Sequence, residues 1–365
     1  MLADRTKLID SSGIRKVFAL AATMKDPVNL SIGQPDFDVP EKFKQTAIQA
    51  IKDGKNGYTQ TGGLNELRET IKKYVSNSRG RDFDDVFITS GVSGGLFLAI
   101  MSLINPGDEV LITDPYFVMY KHLVNLMGGT PKFIDTYPDF HLRADEIEKK
   151  ITDKTKVIIL NSPNNPTGIV YTQQELKMVA EIAKKYDLFI ISDEIYDAFS
   201  YDGEYHSICS YYEKSLLLGG FSKTLAMTGW RVGYAAGPAE VISAMVTIQQ
   251  YTFVCSPAMA QYACLHAPEY DTSKHVQDYI EKRDIIYQGL VDGGFEVNKP
   301  TGAFYIFPKA KFGTDQEFVE KAIKNNVLII PGSVFSEKNT HFRISFAAPI
   351  DTLKRGAEIL SGLKG

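Results

Sequence analysis

Two short apolar runs in the middle of the 365-residue chain end in side chains able to do chemistry. The first reads Asp187-Leu-Phe-Ile-Ile-Ser-Asp193-Glu194-Ile-Tyr196. Two carboxylates and a phenol thus follow a strand, at the end where open α/β sheets place ligands. Asp193 is then a carboxylate on a cleft floor or, on local grounds alone, a helix N-cap. The second run, Ser215-Leu-Leu-Leu-Gly-Gly-Phe-Ser222-Lys223, leads a strand into a lysine, with Arg231 eight residues on. Such a lysine is either a loop cation near a helix start or an amine whose pKa is lowered by burial and a neighbouring cation. In the latter state it can form an imine with an aldehyde. Arg231 can be that cation, or can pair with a phosphate through its two-pronged fork.

Three further stretches have matching character. Phe87-Ile-Thr89-Ser90-Gly91-Val92-Ser93-Gly94-Gly95-Leu96-Phe97 reads as strand, glycine-rich turn and apolar helix. It is a plain tight turn, or one whose free amides face an anion at a helix start. It has neither the GxxxxGK[ST] nor the GxGxxG spacing of nucleotide-binding loops. Asn161-Ser-Pro-Asn164-Asn165-Pro166-Thr167-Gly168 is a stiff loop whose side-chain amides are well-oriented donors, or an ordinary asparagine-proline turn. In His341-Phe-Arg343-Ile-Ser345-Phe the alternation puts Arg343 and Ser345 on the face opposite Phe342, Ile344 and Phe346. Arg343 is there a salt-bridged strand arginine or a fork for a carboxylate substrate.

These side chains need a scaffold, and the pattern around them supplies one. Short apolar strands are expected at residues 86–89, 109–113, 130–134, 157–160, 188–192, 215–218 and 233–236, with helices starting near Asn65, Gly94, Tyr116, Asp145 and Thr172. The alternation predicts an α/β fold, with a mostly parallel seven-stranded sheet flanked by helices, over residues 41–252. Beyond Ser256 a charged helix at 275–289 and strands at 295–298, 303–307, 327–330 and 342–346 predict a smaller α+β domain, formed by residues 1–40 and 253–365.

Bulk composition narrows the partners. At 44% hydrophobic and 23% charged residues, the chain can build its own core. The net charge of -4, spread along the sequence, argues against a nucleic-acid or anionic-membrane surface. Cys209, Cys255 and Cys264 have no CxxC spacing and read as reduced, buried thiols of a cytoplasmic protein. Neither a signal peptide nor a membrane span is expected, and no metal site.

In order, Ser31-Ile-Gly33-Gln-Pro-Asp-Phe, Tyr58-Thr-Gln-Thr-Gly-Gly, Asn164-Asn-Pro-Thr-Gly, Ser192-Asp-Glu-Ile-Tyr196, Phe221-Ser-Lys223, Met227-Thr-Gly-Trp-Arg231-Val-Gly-Tyr and Phe342-Arg343-Ile-Ser form a joint pattern. Over nearly the whole chain it resembles the class I and II aminotransferases of the pyridoxal-phosphate fold type I superfamily. The resemblance implies a homodimer that binds pyridoxal 5'-phosphate and moves amino groups from L-amino acids to 2-oxo acids such as 2-oxoglutarate. Lys223 is similar to the lysine that holds the cofactor as an imine and later shuttles the substrate proton, and Asp193 to the partner of the pyridine nitrogen. Asn165 and Tyr196 match the residues that bond the ring oxygen, with Tyr196 counted with Lys223 and Asp193 as catalytic. Gly91, Val92, Ser93, Ser222 and Arg231 match the phosphate cup, Tyr58 the phosphate contact lent by the other subunit, and Phe117 the aromatic stacked on the ring. Gly33, through its amide, Asn165 and Arg343 match the substrate-binding positions.

Two features bear on the substrate. Ser93 stands where bacterial relatives acting on aspartate often carry lysine, and Arg15 is a further cation in the N-terminal segment. The resemblance leaves aspartate-type, aromatic-type or alanine-type specificity open. A C-S lyase or aminocyclopropane-carboxylate synthase-like enzyme on the same fold is the alternative.

Overall fold

The computed structural model describes residues 2–9, 13, 17 and 24–365. Arg15 lies outside them. Strands are numbered in chain order: β1 (Val28–Asn29), β2 (Asp85–Thr89), β3 (Glu109–Asp114), β4 (Thr130–Asp135), β5 (Thr155–Asn161), β6 (Phe189–Asp193), β7 (Ser215–Gly220), β8 (Gly233–Gly237), β9 (Tyr305–Ile306), β10 (Val327–Leu328), β11 (Ile330–Pro331) and β12 (Phe342–Ser345). The helices used below are α1 (Glu41–Lys52), α2 (Asn65–Arg79), α3 (Gly91–Leu103), α4 (Met119–Leu126), α5 (Gln173–Lys185), α6 (Ser273–Asp292) and α7 (Asp315–Lys324).

The seven apolar runs form one sheet in the order β2-β8-β7-β6-β5-β3-β4. Only β8 runs against its neighbours, β2 and β7. Successive residues of each strand point to opposite faces, and both faces are buried. Phe87, Ile112, Ile159, Ile191 and Leu218 join one core cluster, while Ile88, Leu111, Ile158, Ile190 and Leu217 join the other. Continuous apolar runs, not alternating ones, are what such a doubly covered sheet requires. Helix α5 begins where a capping box closes it, with Thr172 Oγ1 accepting from the Glu175 amide at 3.2 Å and Glu175 Oε2 accepting from the Thr172 amide at 2.7 Å.

Because β8 is antiparallel, its first residues lie at the same sheet edge as the last residues of the other strands. Asn161, Asp193 and Gly220 therefore share an end with Arg231, just ahead of β8. Strand order also reverses between β3 and β5, the switch point at which open α/β sheets form a crevice.

The remaining strands are shorter than expected. β9, β11 and β12 form a three-stranded antiparallel sheet, and β1 pairs in parallel with β10, tying residues 28–29 to the C-terminal part of the chain. The strand expected at 303–307 shrinks to β9, since Ala303 takes φ 52°, outside the extended region. The run 327–330 divides between two partners, β10 on β1 and β11 on β12. No strand forms at 295–298. Phe295 packs edge-on to Phe318 and Phe342, and Glu296 accepts a backbone bond from Lys309 at 3.0 Å, so side chains dock this segment without a ladder. The charged helix expected at 275–289 is α6, longer at both ends. Cys209 and Cys264 are buried, but Cys255 is half-buried, which corrects the expectation for that thiol. Among the described residues no helix is long and apolar enough to cross a membrane.

Candidate active site

Lys223 follows β7, and the structure places it among the groups that the sequence singled out. Its Nζ donates to the Gly33 carbonyl at 2.7 Å and lies 5.9 Å from the centre of the Tyr196 ring. Its pKa is pushed down to about 8, first by burial, then by Arg343 and Arg231, against the opposing pull of Asp193. The two-cation surroundings thus favour a neutral, nucleophilic amine nearer to physiological pH.

Asp193 ends β6, the strand paired with β7, and is buried. Tyr120 on α4 donates to its Oδ2 at 2.6 Å, and the Ile195 amide donates to Oδ1 at 3.3 Å. Burial nevertheless raises its pKa to about 6, with Glu194 adding to the rise while Tyr120, Ile195 and Lys223 oppose it. A buried carboxylate held this way is poised to accept a cationic partner. Asn161 braces the strand end: its Nδ2 donates to the Asp193 carbonyl at 3.0 Å and its Oδ1 accepts from the Asn165 amide at 2.8 Å.

Arg343, on β12, is almost wholly buried. Its Nη1 donates to Asn165 Oδ1 and its Nη2 to the Ser31 carbonyl, both at 3.0 Å, while Nε has no partner. The guanidinium sits 4.6 Å from the ring centres of both Tyr305 and Phe335. Tyr305 also meets the Tyr196 hydroxyl at 2.8 Å. A Cβ on Gly33 would come within 2.8 Å of the Tyr305 hydroxyl, so Gly33 passes where a larger residue would collide. Asn165, Tyr196, Gly33 and Arg343 are in this way brought together with Lys223.

The glycine-rich turn forms the first turn of α3, which begins at Gly91 and not at Gly94. Gly91 takes φ 67°, and a Cβ there would fall 2.5 Å from Arg231 Nη2. Gly233 is as tight, its Cβ position 2.8 Å from the Val92 amide nitrogen. Arg231, itself at φ 57°, donates to the Thr228 carbonyl at 2.9 Å and to that of Ser90 at 3.3 Å. Gly91, Val92 and Ser93 therefore present helix-start amides, which lack intrahelical partners, beside a guanidinium.

Phe117 precedes α4, its start shifted from Tyr116 to Met119, and packs edge-on to Tyr120 with centroids 5.7 Å apart. Ser222 is buried next to Lys223. Tyr58 stands apart, 86% exposed, with no hydrogen bond or ring contact to these residues among the described residues. Sequence reasoning missed Tyr120 and Tyr305, and took Asn161 only as part of the stiff loop of amide donors. Tyr120 is signalled only by standing one helical turn after Phe117, and Tyr305 looks like an ordinary core residue.

A half-buried lysine, a carboxylate on the neighbouring strand, a turn of free helix-start amides beside a guanidinium, and a second, buried arginine gather at the strand ends where open α/β enzymes bind their ligands. Residues 25–360 match the model of the family described as aminotransferase class I and II, and the chain belongs to that family. It is a transaminase. It is 41% identical over 374 residues to a probable aspartate aminotransferase of Methanocaldococcus jannaschii, with 99% of each chain covered. To an aromatic-amino-acid aminotransferase 2 of Thermococcus litoralis it is 38% identical, over 98% of this chain and 96% of that one. A solved structure of aspartate aminotransferase from Thermus thermophilus with maleate superposes with a TM-score of 0.96 at 32% identity, covering 99% of both chains.

Proposed function

We propose that this transaminase uses pyridoxal 5'-phosphate to move the amino group of an L-amino acid to a 2-oxo acid, with 2-oxoglutarate as acceptor, in two half-reactions of ping-pong order. The observation that carries the reading is the half-buried Lys223, whose amine is influenced by two arginines and by a carboxylate on the adjoining strand. When bound, the cofactor supplies an aldehyde for amines and a ring that draws electrons from the substrate Cα–H bond. The residues present fit it. The cradle that a Cβ on Gly91 would fill, with the amides of Val92 and Ser93, Ser222 and Arg231, suits a phosphate. Asp193 would face the ring nitrogen and keep a proton there. Asn165 and Tyr196 would hydrogen-bond the ring oxygen, and Phe117 would cover the ring face.

This chain's own groups then divide the work. Lys223 takes and returns the proton at the substrate Cα, which an amine with a depressed pKa can do near neutrality. Arg343, prealigned by Asn165 and Ser31, grips the α-carboxylate, and the Gly33 amide supports it. The relatives' names favour an aspartate or aromatic donor. The exposed Tyr58 suits a homodimer in which it reaches the neighbouring phosphate cup. In this reading residues 41–252 form the cofactor domain, residues 1–40 and 253–365 the smaller one, and the enzyme works in the cytoplasm.

The test is a donor panel of aspartate, tyrosine, phenylalanine, alanine and leucine against 2-oxoglutarate. Glutamate formed in step with the donor's 2-oxo acid supports the proposal. Ammonia released without an acceptor would instead indicate a lyase.

A further inference from the structure

The turn that brings Asp193 and Tyr196 into the cleft sends two other acids away from it. Glu194 and Asp197 converge on Arg79, the last residue of α2. Arg79 Nε donates to Glu194 Oε2 at 2.9 Å, and Nη2 lies 2.8 Å from that oxygen and 2.6 Å from Asp197 Oδ2. The remaining oxygen, Glu194 Oε1, accepts from Ser192 Oγ at 2.8 Å and from Ser207 Oγ. The Tyr205 ring covers the guanidinium, 5.0 Å from its carbon. Arg79 and Glu194 are buried, and Asp197 is half-buried. The backbone of the turn is also held by the Glu194 amide on the Leu218 carbonyl at 2.9 Å, the Asp197 amide on the Glu194 carbonyl at 3.0 Å and the Phe199 amide on the Tyr196 carbonyl at 2.8 Å.

We propose that Arg79 is a positioning residue for amino transfer: by clamping Glu194 and Asp197 behind the turn, it fixes how Asp193 and Tyr196 face the cofactor site. This rests on the pyridoxal-phosphate reading of the site. A buried ion cluster adds little to stability over apolar packing of the same volume, so its contribution here is direction. The guanidinium fork spans both carboxylates at fixed angles, whereas a lysine offers one ammonium on a flexible stem. Residues 193, 194, 196 and 197 alternate between cleft and clamp in pairs, so tilting the clamp tilts both cleft residues together.

Arg79→Lys, Glu194→Gln and Asp193→Asn test it. The readouts are the near-visible absorption of bound pyridoxal phosphate and its pH midpoint, Kd for the cofactor on stripped protein, kcat and KM, and the unfolding temperature. Arg79→Lys is expected to unfold cooperatively, shift the pH midpoint, and lower kcat about 10- to 100-fold, the usual cost of a misplaced reacting group. KM should change little, because Arg343 is held by other elements. A variant of lowered unfolding temperature with wild-type kcat, Kd and pH midpoint overturns the proposal. Should Arg79→Lys not fold, the isosteric Glu194→Gln is judged by the same criteria. If Asp193→Asn itself keeps wild-type absorption and turnover, the cofactor reading fails. If it is impaired while the clamp variants are not, the role of Arg79 alone fails.

Discussion

Replacing Asp193 with asparagine should stabilise the cofactor-stripped protein while disabling it. Only 3% of Asp193 is exposed, and burial is the largest cause of its pKa rise from 3.8 to about 6. With the folded value above the unfolded one, the native state holds this proton more tightly than the unfolded chain. The carboxyl is therefore best tolerated below pH 3.8, and stability falls as pH rises from there through about 6. Two units at about 1.4 kcal/mol each give a full cost of about 3 kcal/mol, of which about half develops between pH 5 and pH 8. An asparagine stays neutral and escapes that cost. Urea unfolding of stripped wild type and Asp193→Asn at pH 5, 6.5 and 8 measures it. The variant should gain on wild type by about 1.5 kcal/mol across the range, while kcat falls about 100-fold or more. A stability difference flat with pH would refute the buried, reluctantly ionised carboxylate on which the site's electrostatics depend.

Three other outcomes follow from the same geometry. Lys223→Ala should abolish the imine with bound cofactor, seen as loss of the borohydride-reducible bond to the protein, and reduce turnover by about 1,000-fold or more. In stripped wild type, the rate of reaction with pyridoxal phosphate should climb through about pH 8, the value to which Lys223 is lowered, and a climb only near pH 10 would contradict it. Arg343→Leu removes a buried fork and should cost about 100-fold in kcat/KM for the amino acid with little change in cofactor Kd, as separate titrations would show. Gly91→Ala forces a Cβ to within 2.5 Å of Arg231 at φ 67°, and fluorescence titration should show cofactor Kd raised about tenfold or more.

Most of the large sheet was legible because strands covered on both faces are mostly apolar, and here they recur as short apolar runs between amphipathic helices. Each of the seven runs appears within two residues of its expected bounds. Lys223, Asp193, Arg231 and Arg343 were legible as charges that end, follow, precede or interrupt apolar runs. What escaped notice depended on contacts between distant segments. Tyr120 and Tyr305 look like core aromatics until their hydroxyls are seen on Asp193 and Tyr196. Arg79 looks like a basic helix end, the normal place for one, until Glu194 is found on it. The short strands near the C-terminus were blurred for a related reason. Their limits are set by a left-handed Ala303 and by the choice between β1 and β12 as partner, neither of which local periodicity records.

Asp193 and Leu218 stand opposite each other in register on neighbouring strands, so the carboxylate proposed for the ring nitrogen and the amine of Lys223, three residues past the end of β7, are carried by one sheet. Arg343 belongs to another sheet, reached through β12. On the proposed assignment, the reaction and the grip on the amino acid are thus built on separate frames. Evolution or engineering can rework the terminal segments to admit a new side chain while leaving untouched the strands that hold the electronic machinery.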